Sequence, residues 1–402
     1  MTQNNFITYG LAFLFVNFMG QITLGLGAPE EGGFGAAFSG NYLFLLFPLA
    51  YVLKDQKIKL LPTDLQIAFY IFCVIFFTAW FFQYSYWHLS LRKLISFILF
   101  MSMFSYAFMD INERMIKAFK ISLVAFTFYL SLSNLNELRS FDLATLGYAA
   151  KNQVGNQRFG FLYIIGFWLV FFFQSNSVLL RLSKIPLLLI IFLGILLTFS
   201  RASIVGFIGS GLVFLVVIFG SKIKLTARNI GIFSLYGMGI GLVVAFSGIY
   251  EYLALPLEYF SDRLFAFRLS DGTSNFDLSN PVSSEGYRIF LIKSILEYVA
   301  ASPLFGSGYL GIWVILDDGI GSAHGQYNDV LFRTGFIGLG IYLYVLQKLG
   351  SYLYKIDLGL FLGFIGVLVF GLFHETFKVS HGAFVLAFLI GMWATELRKK
   401  KI

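Results

Sequence analysis

The stretch LLTFSRASIVGFIG, residues 196–209, places one arginine, Arg201, inside an otherwise apolar run. A charge inside a membrane is costly, so it needs a polar partner or a route to water. Its position near the start of a predicted helix adds backbone N–H donors and the positive end of the helix dipole, which together favour an anion. Two interpretations stay open: Arg201 reaches the outer headgroups, or it faces a water-filled cavity and holds an anion.

A second chemically able residue is His324, one of four histidines, in the segment SAHGQYNDVLFRTGFIGLG. A neutral imidazole accepts a proton from a hydroxyl near physiological pH, which makes His324 a candidate general base. The alternative is a hydrogen-bonded histidine at the membrane interface. Its position alone leaves the two interpretations even.

Other polar motifs give weaker indications. Arg288 opens the segment EGYRIFLIKSILEYVAASP, where a lone arginine is more often a solvated charge. The stretch PLFGSGYLG predicts a tight turn but matches neither a P-loop nor a dinucleotide fingerprint. His374 and Glu375 lie in HETFKVSH, which lacks the H-E-x-x-H spacing, so neither a metal site nor a cofactor is predicted.

The composition is that of a membrane protein. The chain of 402 residues is 58% hydrophobic and 12% charged, with a mean hydropathy of +0.79, which excludes an ordinary soluble fold. The single cysteine, Cys73, lies in an apolar span and excludes an intrachain disulfide. The start of the sequence lacks signal-peptide features, so we expect the first span to be retained. The net charge of +8 is attributed to loop sidedness, and no nucleic-acid partner is expected.

Continuous apolar runs predict an all-α polytopic membrane protein with about twelve transmembrane helices. The predicted spans are 5–26, 36–53, 65–83, 89–109, 115–133, 158–175, 186–200, 202–220, 229–250, 328–347, 356–374 and 379–397. With both termini cytoplasmic, lysine dominates the inner loops, as topology alone would select. Arginine dominates the outer side, where its planar fork suits phosphate.

These spans predict three regions. Residues 1–250 form a bundle of the first nine helices with an outer loop at 134–157. Residues 251–327 form a large helical outer loop, in which an amphipathic helix ends at Pro303. Its apolar stripe is predicted to be Ile289, Ile292, Ile295, Leu296 and Val299. Residues 328–402 form the last three helices and a basic tail.

The motifs together resemble the bacterial O-antigen polymerase and O-antigen ligase superfamily. The matching pieces are TFSRAS (198–203), the arginine of EGYRIF (Arg288), ASPLFGSGYLG (301–311) and AHGQYNDVLFRTGFIGLG (323–340). In the last piece, Gly335 and Gly338 fill the family's Gly-x-x-Gly. The region with recognisable motifs covers about a third of the chain, while the first five spans match only in general character. One departure is Gly325, where the family frequently has asparagine after the histidine.

The resemblance implies a GT-C-like glycosyltransferase of the bacterial inner membrane with a periplasmic active site. It implies donor and acceptor glycans on undecaprenyl pyrophosphate, and a chain-length regulator protein is a further expected partner. Arginines would stabilise the departing diphosphate and His324 would deprotonate the acceptor, with inversion at the anomeric carbon and no metal. Asn328 or Tyr327 would orient the imidazole. The expected diphosphate-binding residues are Arg201, Arg288, Arg158 and Arg268.

Three functions remain as alternatives. The polymerase, which passes a growing chain to the next lipid-linked repeat unit, is favoured because the outer loop lacks an obvious basic surface for phosphorylated core sugars. The second is a ligase that passes the chain to lipid A-core. The third is a transporter or flippase, which the one-sided charges and the lack of carboxylates at mid-depth of the spans disfavour.

Overall fold

The computed structural model describes residues 111–139, 159–174, 177–198, 200–220, 284–307, 323–377 and 380–400. Within these ranges the regular secondary structure is helical and contains no strand, which confirms the all-helical class. The predicted spans 5–26, 36–53, 65–83, 89–109 and 229–250 lie outside the described residues, as do Arg158 and Arg268. The total of about twelve spans therefore stays a prediction.

The described part of the chain contains these helices: α1 (Glu113–Arg139), α2 (Gly160–Phe171), α3 (Val178–Leu197), α4 (Arg201–Gly220), α5 (Ser284–Ala301), α6 (Gln326–Ile356), α7 (Leu358–Phe370) and α8 (Ser380–Lys399). Three of them are long and apolar enough to cross a membrane, over Glu113–Asn136, Arg201–Ile218 and Gln326–Ile356. The helices α2 and α7 are shorter but also apolar.

The helix α3 is longer than the apolar window that predicted its span. It begins at Val178, before the predicted span at 186–200. The first turns carry Arg181, which is exposed, and Lys184, and these charges fall outside an apolar window although they favour helix. Pro186 lies inside the helix, in its third turn, rather than at its start.

The chain divides into two compact units. The first contains Met1–Ser122, Phe276–Tyr352 and Gly371–Ile402, and the second contains Leu123–Asn275 and Leu353–Phe370. In the first, the rings of Phe119 and Phe388 stack with centroids 4.0 Å apart, and Ile111 N–H donates to Thr395 Oγ1 at 3.2 Å. These contacts join the start of α1 to α8.

The helix α5 packs on α6 through one apolar row. Leu291, Ile295 and Val299 are buried against Leu331 and Phe332 of α6. Of the predicted apolar stripe, Ile295 and Val299 belong to this row, Ile292 and Leu296 are 42% and 52% exposed, and the side chain of Ile289 lies outside the described residues. The residues at i, i+4 and i+8, which are Leu291, Ile295 and Val299, face α6. The neighbouring apolar row of Ile292 and Leu296 lies outside this contact.

In the second unit, glycines let the helices approach closely. A Cβ at Gly160 of α2 would collide with Ser203 Oγ of α4. A Cβ at Gly206 would lie 2.8 Å from the Gly366 carbonyl oxygen of α7. Small residues at helix contacts are typical of membrane bundles, where packing rather than hydrophobic burial joins the helices. The indole Nε1–H of Trp168 also donates to Ser210 Oγ at 2.8 Å, and this hydrogen bond joins α2 to α4.

Candidate functional site

The helix α6 is broken at Gly335, whose φ of 64° and ψ of −165° lie outside the helical region. The turn Pro303–Ser307, which follows α5, pairs with the backbone at this break. Ser307 N–H donates to the Phe332 carbonyl at 2.7 Å, and Phe336 N–H donates to the Pro303 carbonyl at 2.8 Å. Non-helical backbone at membrane depth is tolerated where protein satisfies its polar groups. The turn performs that function here.

Two glycines make this contact possible. A Cβ on Gly335 would collide with the Leu304 carbonyl and lie 2.6 Å from Phe305 N. A Cβ on Gly306, which has a φ of +62°, would lie 2.6 Å from Gly335 N. The glycines that were identified as motif residues therefore fix the meeting of one turn with one helix break.

At the other end of this half-helix, the segment that leads into α6 is paired with the loop between α7 and α8. Gln326 N–H donates to the Gly371 carbonyl at 2.7 Å, and Phe377 N–H donates to Gln326 Oε1 at 3.0 Å. Ala323 N–H donates to Glu375 Oε1 at 2.9 Å. These hydrogen bonds flank His324 on both sides.

The backbone of His324 has an uncommon conformation. Its φ of 49° is the one positive value at a non-glycine residue in the described part of the chain. Such a conformation costs energy and persists when the surroundings over-determine it. Gly325 contributes to this constraint, because a Cβ there would lie 2.9 Å from the Leu372 carbonyl oxygen. The half-buried imidazole of His324 thus extends from a tightly fixed backbone.

A buried ion pair lies in the first turns of α6. Arg333 Nε donates to both carboxylate oxygens of Asp329 at 2.8 Å, and the two side chains are only 4% and 5% exposed. Buried charges need such pairing, and removing one partner is strongly destabilising. This pair was not identified from the sequence. The signal was the spacing of four residues between Asp329 and Arg333.

In the second unit, Arg201 is the first residue of α4 and is partly buried. The junction before it is held by Thr198, whose hydroxyl donates to the Ile195 carbonyl at 2.7 Å and is hydrogen-bonded to the Ser203 hydroxyl at 3.0 Å. Ser203 N–H donates to the Ser200 carbonyl at 3.0 Å. The buried hydroxyls of TFSRAS therefore fix the turn that presents Arg201.

The other predicted site residues are distributed as follows. Arg288 lies in α5, and its side chain is outside the described part of the structure. Asn328 borders Gly325, with its Nδ2 3.1 Å from the position of a Cβ there, and is thus close to the backbone beside His324. The ring of Tyr327 packs edge-on against that of Tyr342, with centroids 6.3 Å apart. Among the described residues, His, Cys, Asp and Glu form no group of three that could hold a metal.

One part of the chain matches a known protein family. Residues 186–343 match the family described as O-antigen ligase. The match covers most of α3, all of α4 and α5 and the first part of α6, and it includes the junction at Arg201 and the constrained His324. No curated protein matches the chain.

The match over residues 186–343 supports the O-antigen polymerase and ligase superfamily that the motifs predicted. This superfamily comprises membrane glycosyltransferase-like enzymes, and it implies lipid-linked oligosaccharide substrates in the membrane. The match gives no support to the transporter alternative.

Proposed function

We propose that the protein is an O-antigen polymerase of lipopolysaccharide biosynthesis. It would transfer a glycan from undecaprenyl pyrophosphate to a hydroxyl of an acceptor lipid-linked repeat unit. The observation that carries this proposal is the family match over residues 186–343, which contains Arg201, Arg288 and His324. The constrained backbone of His324 supports it further, since catalysis by a general base requires a fixed position relative to the reacting hydroxyl.

In the proposed reaction, His324 removes the proton from the acceptor hydroxyl, whose oxygen attacks the anomeric carbon opposite the diphosphate. The new glycosidic C–O bond forms as the C–O bond to the diphosphate breaks, and the electron pair leaves with the diphosphate. The anomeric configuration inverts. Fixed guanidinium groups stabilise the developing charge and replace a metal ion. They belong to Arg201, Arg288, Arg158 and Arg268.

Asn328 and Tyr327 are proposed to orient the imidazole. The closeness of Asn328 to Gly325 supports its role, because Gly325 directly follows His324. The packing of Tyr327 against Tyr342 favours a second role for this ring, as a fixed wall of the same site.

The proposed setting is the bacterial inner membrane. About twelve spans in a GT-C-like arrangement would place both termini in the cytoplasm and the active site in the periplasm. The bundle 1–250, the loop 251–327 and the last helices 328–402 are the proposed regions of the chain. A chain-length regulator protein is a proposed partner.

A ligase is the second candidate, because the matching family is described as O-antigen ligase. It would perform the same bond exchange with lipid A-core as the acceptor. The shortage of predicted basic surface on the outer loop favours the polymerase, since core sugars are phosphorylated.

The test is a transfer assay with purified protein in liposomes that contain a defined lipid-linked donor. A polymerase lengthens the lipid-linked glycan and releases undecaprenyl pyrophosphate, with equal activity after addition of a metal chelator. Transfer to added lipid A-core instead would identify a ligase. Movement of intact donor across the bilayer without chemical change would refute the enzyme proposal.

A further inference from the structure

We propose that Glu375 is a positioning residue for His324, and this inference rests on the proposed function of His324 as the base. The Glu375 carboxylate accepts the N–H of Ala323 at 2.9 Å, immediately before His324 in the chain. The two partners are 52 residues apart in sequence, so the contact joins the α7–α8 loop to the start of α6. We assign Glu375 to holding backbone rather than to proton transfer.

The backbone conformation of His324 explains why such a tie matters. A positive φ is uncommon for a residue with a Cβ, and relaxation to negative φ would turn the imidazole in another direction. The Ala323 N–H is the backbone donor one residue before His324. A carboxylate acceptor forms a shorter and stronger hydrogen bond with a backbone N–H than a neutral acceptor does. The Glu375 side chain therefore holds the backbone at Ala323, the residue directly before the strained His324.

The same loop holds the chain on the other side of His324. Gln326 donates its N–H to the Gly371 carbonyl, and its side-chain oxygen accepts the Phe377 N–H. Without the Glu375 contact, only the side after His324 remains tied to the loop by these bonds. We therefore expect loss of Glu375 to affect the placement of the imidazole more than the folding of α6.

Comparison of three substitutions separates backbone positioning from a role for the charge. Glu375→Gln keeps an acceptor oxygen at the same reach without the charge. Glu375→Asp keeps the charge but shortens the side chain. Glu375→Ala removes both. A positioning role predicts activity in the order Glu, Gln, Asp, Ala, whereas a proton-transfer or charge role places Asp above Gln.

The experiment is steady-state glycan transfer in liposomes by the full chain, with each variant compared at equal amounts of monodisperse protein. For Glu375→Ala we expect kcat to fall by about 100-fold, the loss typical of a misplacement of about 1 Å, with KM within about twofold of the unmodified protein. Glu375→Gln should stay within about fivefold of the unmodified protein, because its amide oxygen restores the hydrogen bond. The control is Glu297→Ala in α5, whose carboxylate is 68% exposed and pairs with Lys293. It should leave kcat unchanged.

The double variant His324→Ala/Glu375→Ala distinguishes the two proposals. If Glu375 acts through His324, it should be no slower than His324→Ala alone. Full activity in Glu375→Ala, or an Asp variant faster than the Gln variant, would overturn the positioning role while leaving the base role intact. Full activity in His324→Ala would instead refute the proposed function. If Glu375→Ala fails to accumulate, the order of the Gln and Asp variants decides alone.

Discussion

The break in α6 gives the sharpest structural prediction, and Gly335→Ala is the change that tests it. The φ of 64° and ψ of −165° at Gly335 lie in a region that is essentially restricted to glycine, at a cost of about 1–3 kcal/mol for other residues. The new methyl group would also meet Leu304 and Phe305 backbone, which has no flexible end to move aside. Overpacking of this kind costs about 1–3 kcal/mol more.

Together these terms destabilise the protein by about 2–6 kcal/mol, a large part of a typical stability of about 5–15 kcal/mol. At roughly 2 °C per kcal/mol, we expect the melting temperature to fall by about 4–12 °C. The assay is thermal unfolding in detergent, followed by the fraction of protein that remains monodisperse.

The same helix supplies the matched control. A Cβ on Gly340 would meet nothing within 4 Å, and alanine is preferred over glycine in a helix by about 1 kcal/mol. Gly340→Ala should therefore keep or raise the melting temperature. If Gly335→Ala melted together with Gly340→Ala, the break at Gly335 and its pairing with the Pro303–Ser307 turn would be wrong.

Two further predictions concern the packing that holds the site. Asp329→Ala should destabilise the protein by about 3–5 kcal/mol, because it leaves the charge of Arg333 buried without its partner. The double variant Asp329→Leu/Arg333→Met removes both charges and should be clearly more stable than Asp329→Ala in the same melting assay. Equal melting temperatures for these two variants would contradict a buried ion pair. Gly160→Ala should cost about 1–3 kcal/mol through its collision with Ser203 Oγ, and Ser203→Ala in the same chain should recover part of the loss. The control is Gly211→Ala, whose Cβ would meet nothing within 4 Å, and a Gly160→Ala protein as stable as this control would contradict the close α2–α4 contact.

Continuous apolar runs and helix-ending residues predicted helices in the described part of the chain, because a helix forms between residues that are close in sequence. The end of α5 at Ala301 follows from Pro303, since the residue before a proline is disfavoured in helical conformation. The start of α3 at Val178 was missed because apolar content locates a membrane layer, while a helix continues through polar turns.

Contacts between distant segments could not be predicted in this way. Gly335 was identified as a motif residue, but its sequence neighbours do not show that the backbone of the Pro303–Ser307 turn lies where a Cβ of residue 335 would be. Glu375 was considered only beside His374, for a metal site, because the sequence shows chain neighbours and not the folded contact of Glu375 with Ala323. The site residues named from the sequence follow from residue chemistry and family resemblance, and their roles stay predictions.

The most direct test of the proposed mechanism is donor consumption by purified protein in liposomes, with Arg201→Ala and His324→Ala compared with Arg181→Ala. Arg181 is an exposed arginine in the first turn of α3 and supplies a matched loss of charge. We expect release of undecaprenyl pyrophosphate to fall by about 100-fold or more in the first two variants, because an electrostatic stabiliser and a general base each contribute about 100-fold or more. Arg181→Ala should release it at the unmodified rate. Release at the unmodified rate by Arg201→Ala and His324→Ala would contradict the proposed mechanism.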